Sequence, residues 1–574
     1  MATQQSICAN WSANSTGCKK FGNYTCKGCY LVVYCGSDCQ KSHWASHKID
    51  CKSSLGNETW RPQWNLENRN PPFLFEMRNL VPSFHGNKSL WGNIPAIDVL
   101  QLGSNEGGDY EKRLNLLFAA SGDLRNVVKT IAQMPGSYNK PMDVVINDSD
   151  FDVVARNAII LLIALVADNI DEAADCMIHV WYSALIRKSD LDMLQQKVLP
   201  LVESICEKIK DKNSSSLLGK TWRFGQRSLR LVLPKASWDR LLAFLNIPKG
   251  LTAEQASRVR MAITLDESKK DNLDLHLIFQ TPSRRIAKHR FRQDGLLLPF
   301  GASRHEFQEP NPTLFQVPDV WPMPDCADPL QGWSLKDVED TPSGPATADI
   351  YGKLFNHIRS MLRAFLLRLS DMQVSFRLFC EKFSLLPMHL ECGSFNRIEV
   401  SNMADNLHAG MHTTAYRMGP LLQAPHVNPH ATLITLFREA IRETMTMQDR
   451  IMDMYTYRPE TKLIREYFSY IGAYAAGYNP DAAPLSDPKA IKWTYAQANV
   501  ANYDPIFDRF MNNFRFSQVE QLFGVTMKRK NTVIEKWPFK MKLQYGQPGA
   551  LEELIQLTDE VVLAKERYVE WRRF

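Results

Sequence analysis

Seven of the chain's twelve cysteines lie within its first 51 residues: Cys8, Cys18, Cys26, Cys29, Cys35, Cys39 and Cys51. A segment this short cannot bury a core large enough to hold itself folded, so cross-links or metal must supply the missing free energy. Seven cysteines leave one over in any disulfide scheme. His47 stands four residues before Cys51, as Cys35 stands four before Cys39. That spacing sets each pair on one face of a helical turn. The turn at Cys26-Lys27-Gly28-Cys29 brings two thiolates to one ion, and zinc takes four such ligands at tetrahedral corners. With His47 there are eight candidate ligands, enough for two closed sites. The other five cysteines (Cys176, Cys206, Cys326, Cys380 and Cys392) are scattered singly, which reads as small buried residues in a reducing compartment.

The rest of the chain has an ordinary globular balance. Of 574 residues, 44% are hydrophobic and 23% charged, which suggests two to four domains. A net charge of +6 on this length does not by itself argue for nucleic acid or a membrane surface. The longest apolar run, around residues 158–167, is about half of a membrane span. Met1–Ser6 is polar and opens no signal sequence. The expectation is an intracellular protein of the cytoplasm, with the nucleus as a second location and no membrane partner.

The string C-x2-C-x5-C-x3-C-Q-x3-W-x2-H-x3-C, from Cys26 to Cys51, resembles the MYND finger, including Tyr34 before the third cysteine. The resemblance implies two cross-braced zincs, one held by Cys8, Cys18, Cys35 and Cys39, the other by Cys26, Cys29, His47 and Cys51. His43 is a rival to His47, but only His47 has the family spacing to Trp44 and Cys51. The chain departs from the family at its first pair, C-x9-C in place of C-x2-C. MYND fingers dock short peptide segments of partner proteins, often proline-containing. Charge agrees: six lysines and two aspartates in residues 1–52, with two Zn²⁺ and seven thiolates, leave about +1 and no arginine. Such a module is a poor phosphate binder, so a DNA-binding regulator is the weaker reading.

After the finger (residues 1–52) comes a connector, 53–90, whose Trp60 and Trp64 predict an ordered wrap. Leu114–Ala120 and Asp143–Asn147 read as strands, Leu124–Gln133 and Phe151–Val166 as helices. This βαβα order predicts a parallel sheet with covering helices, an α/β fold of Rossmann-like kind. In such sheets a ligand sits at the carboxyl ends of the strands, with a glycine turn below it and an acid on its ribose. Gly122 and Asp148 stand at those positions, in a layout that resembles a degenerate class I S-adenosylmethionine methyltransferase. One glycine stands where such enzymes carry several, so a scaffold without the cofactor is expected and a methyltransferase is the alternative. The Rossmann-like body is expected to run over 91–200 and resume at 391–450, where Asn396–Asp405 reads as a later strand. Between them 201–390 is expected to be a mainly helical insertion, and 451–574 a helical end that includes Leu551–Trp571. Thr432–Met447 also reads as a helix.

The stretches Trp91–Asp98, Ser121–Thr130, Val144–Asn157 and His179–Ser183 resemble a conserved domain of unknown function. It accompanies MYND fingers in fungal proteins and opens axonemal dynein assembly factors. Two further features invite a role: the basic cluster Arg284, Arg285, Lys288, Arg290 and Arg292, and a proline-bearing stretch from Pro310 to Pro329. The first reads as a solvated stretch or an import signal, the second as a connecting loop or a self-ligand for the finger.

Overall fold

The structure, a computed structural model, describes residues 6–11, 17–76, 88–454, 484, 486–544, 546–559 and 564–574. Parts of the connector and of the 451–574 region lie outside these. In chain order the strands are β1 (Tyr24–Thr25), β2 (Val33–Tyr34), β3 (Leu114–Phe118), β4 (Met142–Asp148), β5 (Leu185–Arg187), β6 (Leu217–Phe224) and β7 (Arg227–Pro234). They continue with β8 (Phe307–Pro310), β9 (Val374–Cys380), β10 (Arg397–Glu399), β11 (Thr432–Phe437), β12 (Val525–Met527) and β13 (Arg567–Arg573). The helices that matter here are α1 (Ser37–Cys51), α2 (Arg125–Ala132), α3 (Phe151–Val166), α4 (Ile170–Tyr182), α5 (Pro282–Asp294) and α6 (Ile350–Asp371).

Nine strands form one sheet in the order β12-β13-β11-β10-β3-β4-β9-β7-β6. The six from β11 to β7 run parallel, while β13 and β6 are antiparallel to their neighbours. The order reverses at β3, which has β4 on one side and β10 on the other. That is the switch point of a Rossmann-like sheet.

Parallel strands covered on both faces must be apolar on both, and these are. Leu116, Phe118, Val144, Ile146, Phe376 and Leu378 enter one core; Leu117, Val145, Ile398, Leu433 and Val569 enter another on the opposite face. On the first face α3 packs across β4, β9 and β7. Its first fifteen residues are all buried, as a helix apolar on every side requires, and Asp150 caps its start by accepting from the Asp152 N–H. α2 and α4 pack on α6. At the far edge of β10, buried Arg397 makes a bidentate bond to Glu106 at 2.7 Å, tying that strand to the segment before β3.

The predicted β3, α2, β4 and α3 fall where expected, and β10 occupies only Arg397–Glu399 of the predicted Asn396–Asp405 strand. Three expectations are corrected. The 201–390 stretch supplies β6, β7 and β9 to the sheet besides its helices. Thr432–Phe437 is a fully buried strand instead of a helix, because it lies between β10 and β13. Leu551–Trp571 divides into a helix, Ala550–Asp559, and β13. In the last two, apolar residues at helical spacing also satisfy a strand buried on both faces, and neighbours decide.

The finger is joined to the body by a shared core. Ala9, Leu31, Val32 and Tyr34 are buried in the same cluster as Phe300, Trp333 and Ile350. Trp11 Nε1 donates to the Gly301 carbonyl at 3.0 Å, and the Ala348 N–H to the Tyr30 carbonyl at 3.2 Å. The finger therefore does not rest on metal alone, as its sequence suggested. The segments it holds are 299–302 and 345–348. The Pro310–Pro329 stretch instead packs on α4, where Asn311 donates to the carbonyls of His179, Val180 and Ser183.

The basic cluster of α5 is consumed in this joint. Arg285 donates to the carbonyls of Leu55 and Asn57, Arg290 pairs with Asp50 at 3.4 Å, Lys288 with Asp328 at 2.9 Å, and Arg284 with Glu339. Arg292 is buried. The cluster is neither a solvated face nor an import signal in reach of a receptor. In the connector, buried Trp64 donates to the Ser486 carbonyl, so residues 53–76 make the ordered wrap its tryptophans predict, while 77–87 lie outside the described residues. Residues 53–574 made without the finger should aggregate and melt below the full chain. Deletion uncovers several apolar side chains, each worth about 1.5–3 kcal/mol when fully buried. Equal melting temperatures by calorimetry would show the joint to be dispensable.

Candidate metal centre

The finger starts with a hairpin and ends with α1. Strands β1 and β2 pair Tyr24 with Tyr34 and Thr25 with Val33. Between them the chain makes a tight turn in which the N–H groups of Cys29 and Tyr30 both reach the Cys26 carbonyl. Cys35 precedes α1, Cys39 opens it and His47 and Cys51 close it. Cys8 and Cys18 meet across a second pairing, with the Cys8 N–H on the Lys20 carbonyl and the Cys18 N–H on the Asn10 carbonyl, both under 3 Å. That pairing explains how a C-x9-C spacing serves in place of C-x2-C: the chain departs after Asn10 and returns at Cys18 in register.

Two groups of four result, Cys8, Cys18, Cys35 and Cys39, and Cys26, Cys29, His47 and Cys51. Within each, all ligand atoms lie within 4.8 Å of one another. A tetrahedral site with Zn–S bonds of ~2.3 Å has sulfur–sulfur edges of roughly 3.8 Å. The Sγ atoms of Cys18 and Cys35 are 3.7 Å apart and those of Cys26 and Cys51 3.8 Å. Cys29 Sγ is 3.5 Å from His47 Nε2. The donor sets, all thiolate in one and three thiolates with an imidazole in the other, are those zinc takes in closed structural sites.

The electrostatics match. Hydrogen bonds from Cys29 and His47 push the Cys26 thiol down to about 3, while Cys29, which gives up its hydrogen to Cys26, is pushed far up. Thiols this close share protons, and a dication replaces the shared proton with a stronger charge. His43 is no ligand. Its Nδ1 lies 3.0 Å from the Tyr34 hydroxyl, its ring stacks on His47, and burial lowers its pKa. Gly28 is a functional position that spacing did not single out. A Cβ there would lie 2.9 Å from Cys51 Sγ, so the turn needs glycine to admit the fourth ligand. The small residue inside the Cys-x-x-Cys turn was the available signal.

Gly122 and Asp148 do meet at the carboxyl ends of β3 and β4. Gly122 turns the chain at φ +55°, a conformation glycine adopts without strain. Its N–H donates to Asp148 Oδ2 at 3.0 Å, and Asp148 Oδ1 accepts from the Asp150 N–H at 2.9 Å. Both carboxylate oxygens are thus engaged by the protein's own backbone, and burial raises the Asp148 pKa. Capping of α3 falls to Asp150. Asp123, which the sequence reading passed over, is also buried and joins the Gly92 N–H to Arg125.

Eight ligands in this alternating order define a two-zinc, cross-braced finger of MYND type carried on a Rossmann-like body. Residues 14–51 match the family model of the MYND finger, and residues 90–186 match that of a domain of unknown function, DUF4470. The first match begins after Cys8, which the structure nonetheless brings beside Cys18, Cys35 and Cys39. The chain is 26% identical over 167 residues to dynein axonemal assembly factor 3 of Xenopus laevis, covering 25% of this chain. It spans 34% of that relative's length. No solved structure matches the chain.

Native mass spectrometry should find two zincs per chain, and Cys8→Ser one. Gly28→Ala should loosen the second site, read as faster zinc loss to a chelator. One zinc in the unaltered chain would break the cross-braced assignment. Separately, Asp148→Ala should cost about 2–4 kcal/mol in urea denaturation, because two partly buried N–H groups lose their acceptor. A cost below about 1 kcal/mol would show a carboxylate free for a ligand.

Proposed function

We propose that the protein is a zinc-dependent interaction protein whose finger docks a proline-containing peptide segment of a partner. The observation that carries this reading is Trp44. It lies on the zinc-bound helix, exposed, with its ring set edge-on to His47 at 6.0 Å. Gln40 stands one helical turn before it on the same face. An aromatic face held rigid by a metal ligand, beside an amide donor and acceptor, suits a preformed extended segment with proline. The joint with the body takes up Trp11, Tyr30 and Asp50, while Trp44 stays exposed for partners.

The name of the Xenopus laevis relative, an assembly factor, fits a protein that works by binding. Work in the cytoplasm belongs to this proposal; among the described residues no helix is long and apolar enough to cross a membrane. The methyltransferase alternative lacks support, since Asp148 spends both oxygens on backbone N–H groups. So does the DNA-binding one, since the cluster on α5 is spent internally. We read the Gly122–Asp148 pair as a brace between two strand ends in a scaffold that does not use S-adenosylmethionine.

The test is selection from a displayed library of proline-containing peptides on the zinc-loaded protein. Recovered peptides should bind at least about tenfold more weakly to Trp44→Ala, a loss of about 1.4 kcal/mol, while that variant keeps both zincs. Recovery of no zinc-dependent binder, or binders indifferent to Trp44, would refute the reading.

A further inference from the structure

The second core of the sheet stops before the sheet does. On that face β4 and β9 still present Val145 and Phe379 to apolar neighbours. The same face then carries Arg377 on β9, Val232 (partly buried against that core), Arg230 and Ser228 on β7, and Thr221 and Arg223 on β6. The register places Thr221, Arg230 and Arg377 side by side, with Arg223, Ser228 and Ser375 in the next row. Arg223 and Arg230 are exposed, and Arg377, Ser228 and Ser375 half-buried.

The opposite face of these strands is ordinary core, with Leu229, Leu231 and Leu233 buried. Where a parallel sheet is expected to be covered on both sides, this one is left open and basic among the described residues.

Three observations converge here. From Lys212 to Trp238 there are six basic residues and no acidic one; of these Arg223 and Arg230 lie on this face, while Lys220 and Arg227 alternate to the other. Among the described residues no carboxylate pairs with Lys212, Lys220, Arg223, Arg227, Arg230 or Arg377. Lys235 alone of the stretch has one, in Asp239 at 2.7 Å. Second, Arg230 lies across β6: its Nη1 donates to Thr221 Oγ1 at 3.3 Å, and its Nη2 occupies the space a Cβ on Gly219 would take, 2.8 Å away. Gly219 therefore lets an arginine from the second strand extend over the first, toward the rim.

Third, β6 is the last strand of the sheet, eight residues long. It turns into β7 through Gly225 and Gln226, with Phe224 facing Arg227. A two-residue turn bonds the facing residues to each other, so along β6 alternate residues bond β7 and those between them point outward. Gly219, Thr221 and Arg223 are the outward set.

We propose that this edge and its arginine face are a second docking surface, for an acidic extended segment of a partner protein that adds a strand alongside β6. Backbone groups of Gly219, Thr221 and Arg223 supply the ladder. Arg223, Arg230 and Arg377 select carboxylates on alternate residues of the added strand, which all face one side. Like charge on the rim keeps two copies of this chain from pairing edge to edge, so the same residues reject self-association and attract the opposite sign. A strand partner is favoured over nucleic acid because the edge offers a peptide ladder and its aromatic residues, Trp222 and Phe224, pack on the opposite, apolar face, away from base stacking.

The test is fluorescence anisotropy of the full-length zinc-loaded protein with a labelled short peptide alternating Glu and Val. The same peptide with Lys for Glu, and an oligodeoxythymidine, serve as comparators. The Glu peptide should bind saturably and the Lys peptide not. Binding should weaken about tenfold or more in Arg223→Glu with Arg230→Glu, both exposed. It should weaken similarly in Thr221→Pro, which removes an outward N–H that no ladder bond uses. If Thr221→Pro melts early, the arginine pair and the Lys peptide decide the matter. Absence of saturable binding, equal binding of the Lys peptide, or tighter binding of the oligonucleotide would each overturn the proposal. Trp44→Ala should leave this binding unchanged, which separates it from the finger's.

Discussion

The sheet's need for cover on both faces organises most of this molecule. Six parallel strands carry apolar side chains up and down, and each side must find a layer to bury it. On one face α3 fills that role so completely that its first fifteen residues are buried. On the other, the segments around Met411–Met418 and Ile506–Phe516 do so from β11 to β9. Where that second layer ends, the strands change character, from Val145 and Phe379 to Arg230 and Arg377. The change is not gradual decay at a rim, because Leu229, Leu231 and Leu233 on the opposite face of β7 are buried.

The finger belongs to the same economy of burial. Zinc can fix eight ligands in a short segment, but it leaves the hairpin's apolar side unspent. Ala9, Leu31 and Val32 find their cover on the body, and α5 clamps the junction with Arg285 and Arg290. Metal and core are therefore coupled: the ions hold the hairpin in the shape that the body's surface receives. Part of the finger is committed inward, and Trp44 is left exposed.

The carboxyl ends of β3 and β4 bring together a glycine turn and an acid that separate stretches of chain supply. Gly122 turns the chain and its N–H donates to Asp148, which also accepts from the Asp150 N–H. Each oxygen of this buried carboxylate thus has a backbone donor, so the acid ties the two strand ends together.

Much was legible along the chain. The zinc ligands could be read from spacing because metal coordination is local chemistry, set by residue type and by the geometry of turns and a helix. The βαβα core could be read because strand β3, helix α2, strand β4 and helix α3 follow one another and carry periodic burial. What the chain did not disclose depends on partners far away in sequence. Thr432–Phe437 becomes a strand only because it finds β10 and β13 in space, and Arg567–Arg573 because it finds β11 and β12. The arginines of α5 look like a basic signal until Asp50, Leu55, Asp328 and Glu339 arrive to meet them. Asp148 looks like a ribose acid until Gly122 turns its N–H toward it. Sequence determines which local chemistry is available; whether a charged or apolar group is spent or left over is decided by long-range packing, because burial and pairing are properties of the whole surface.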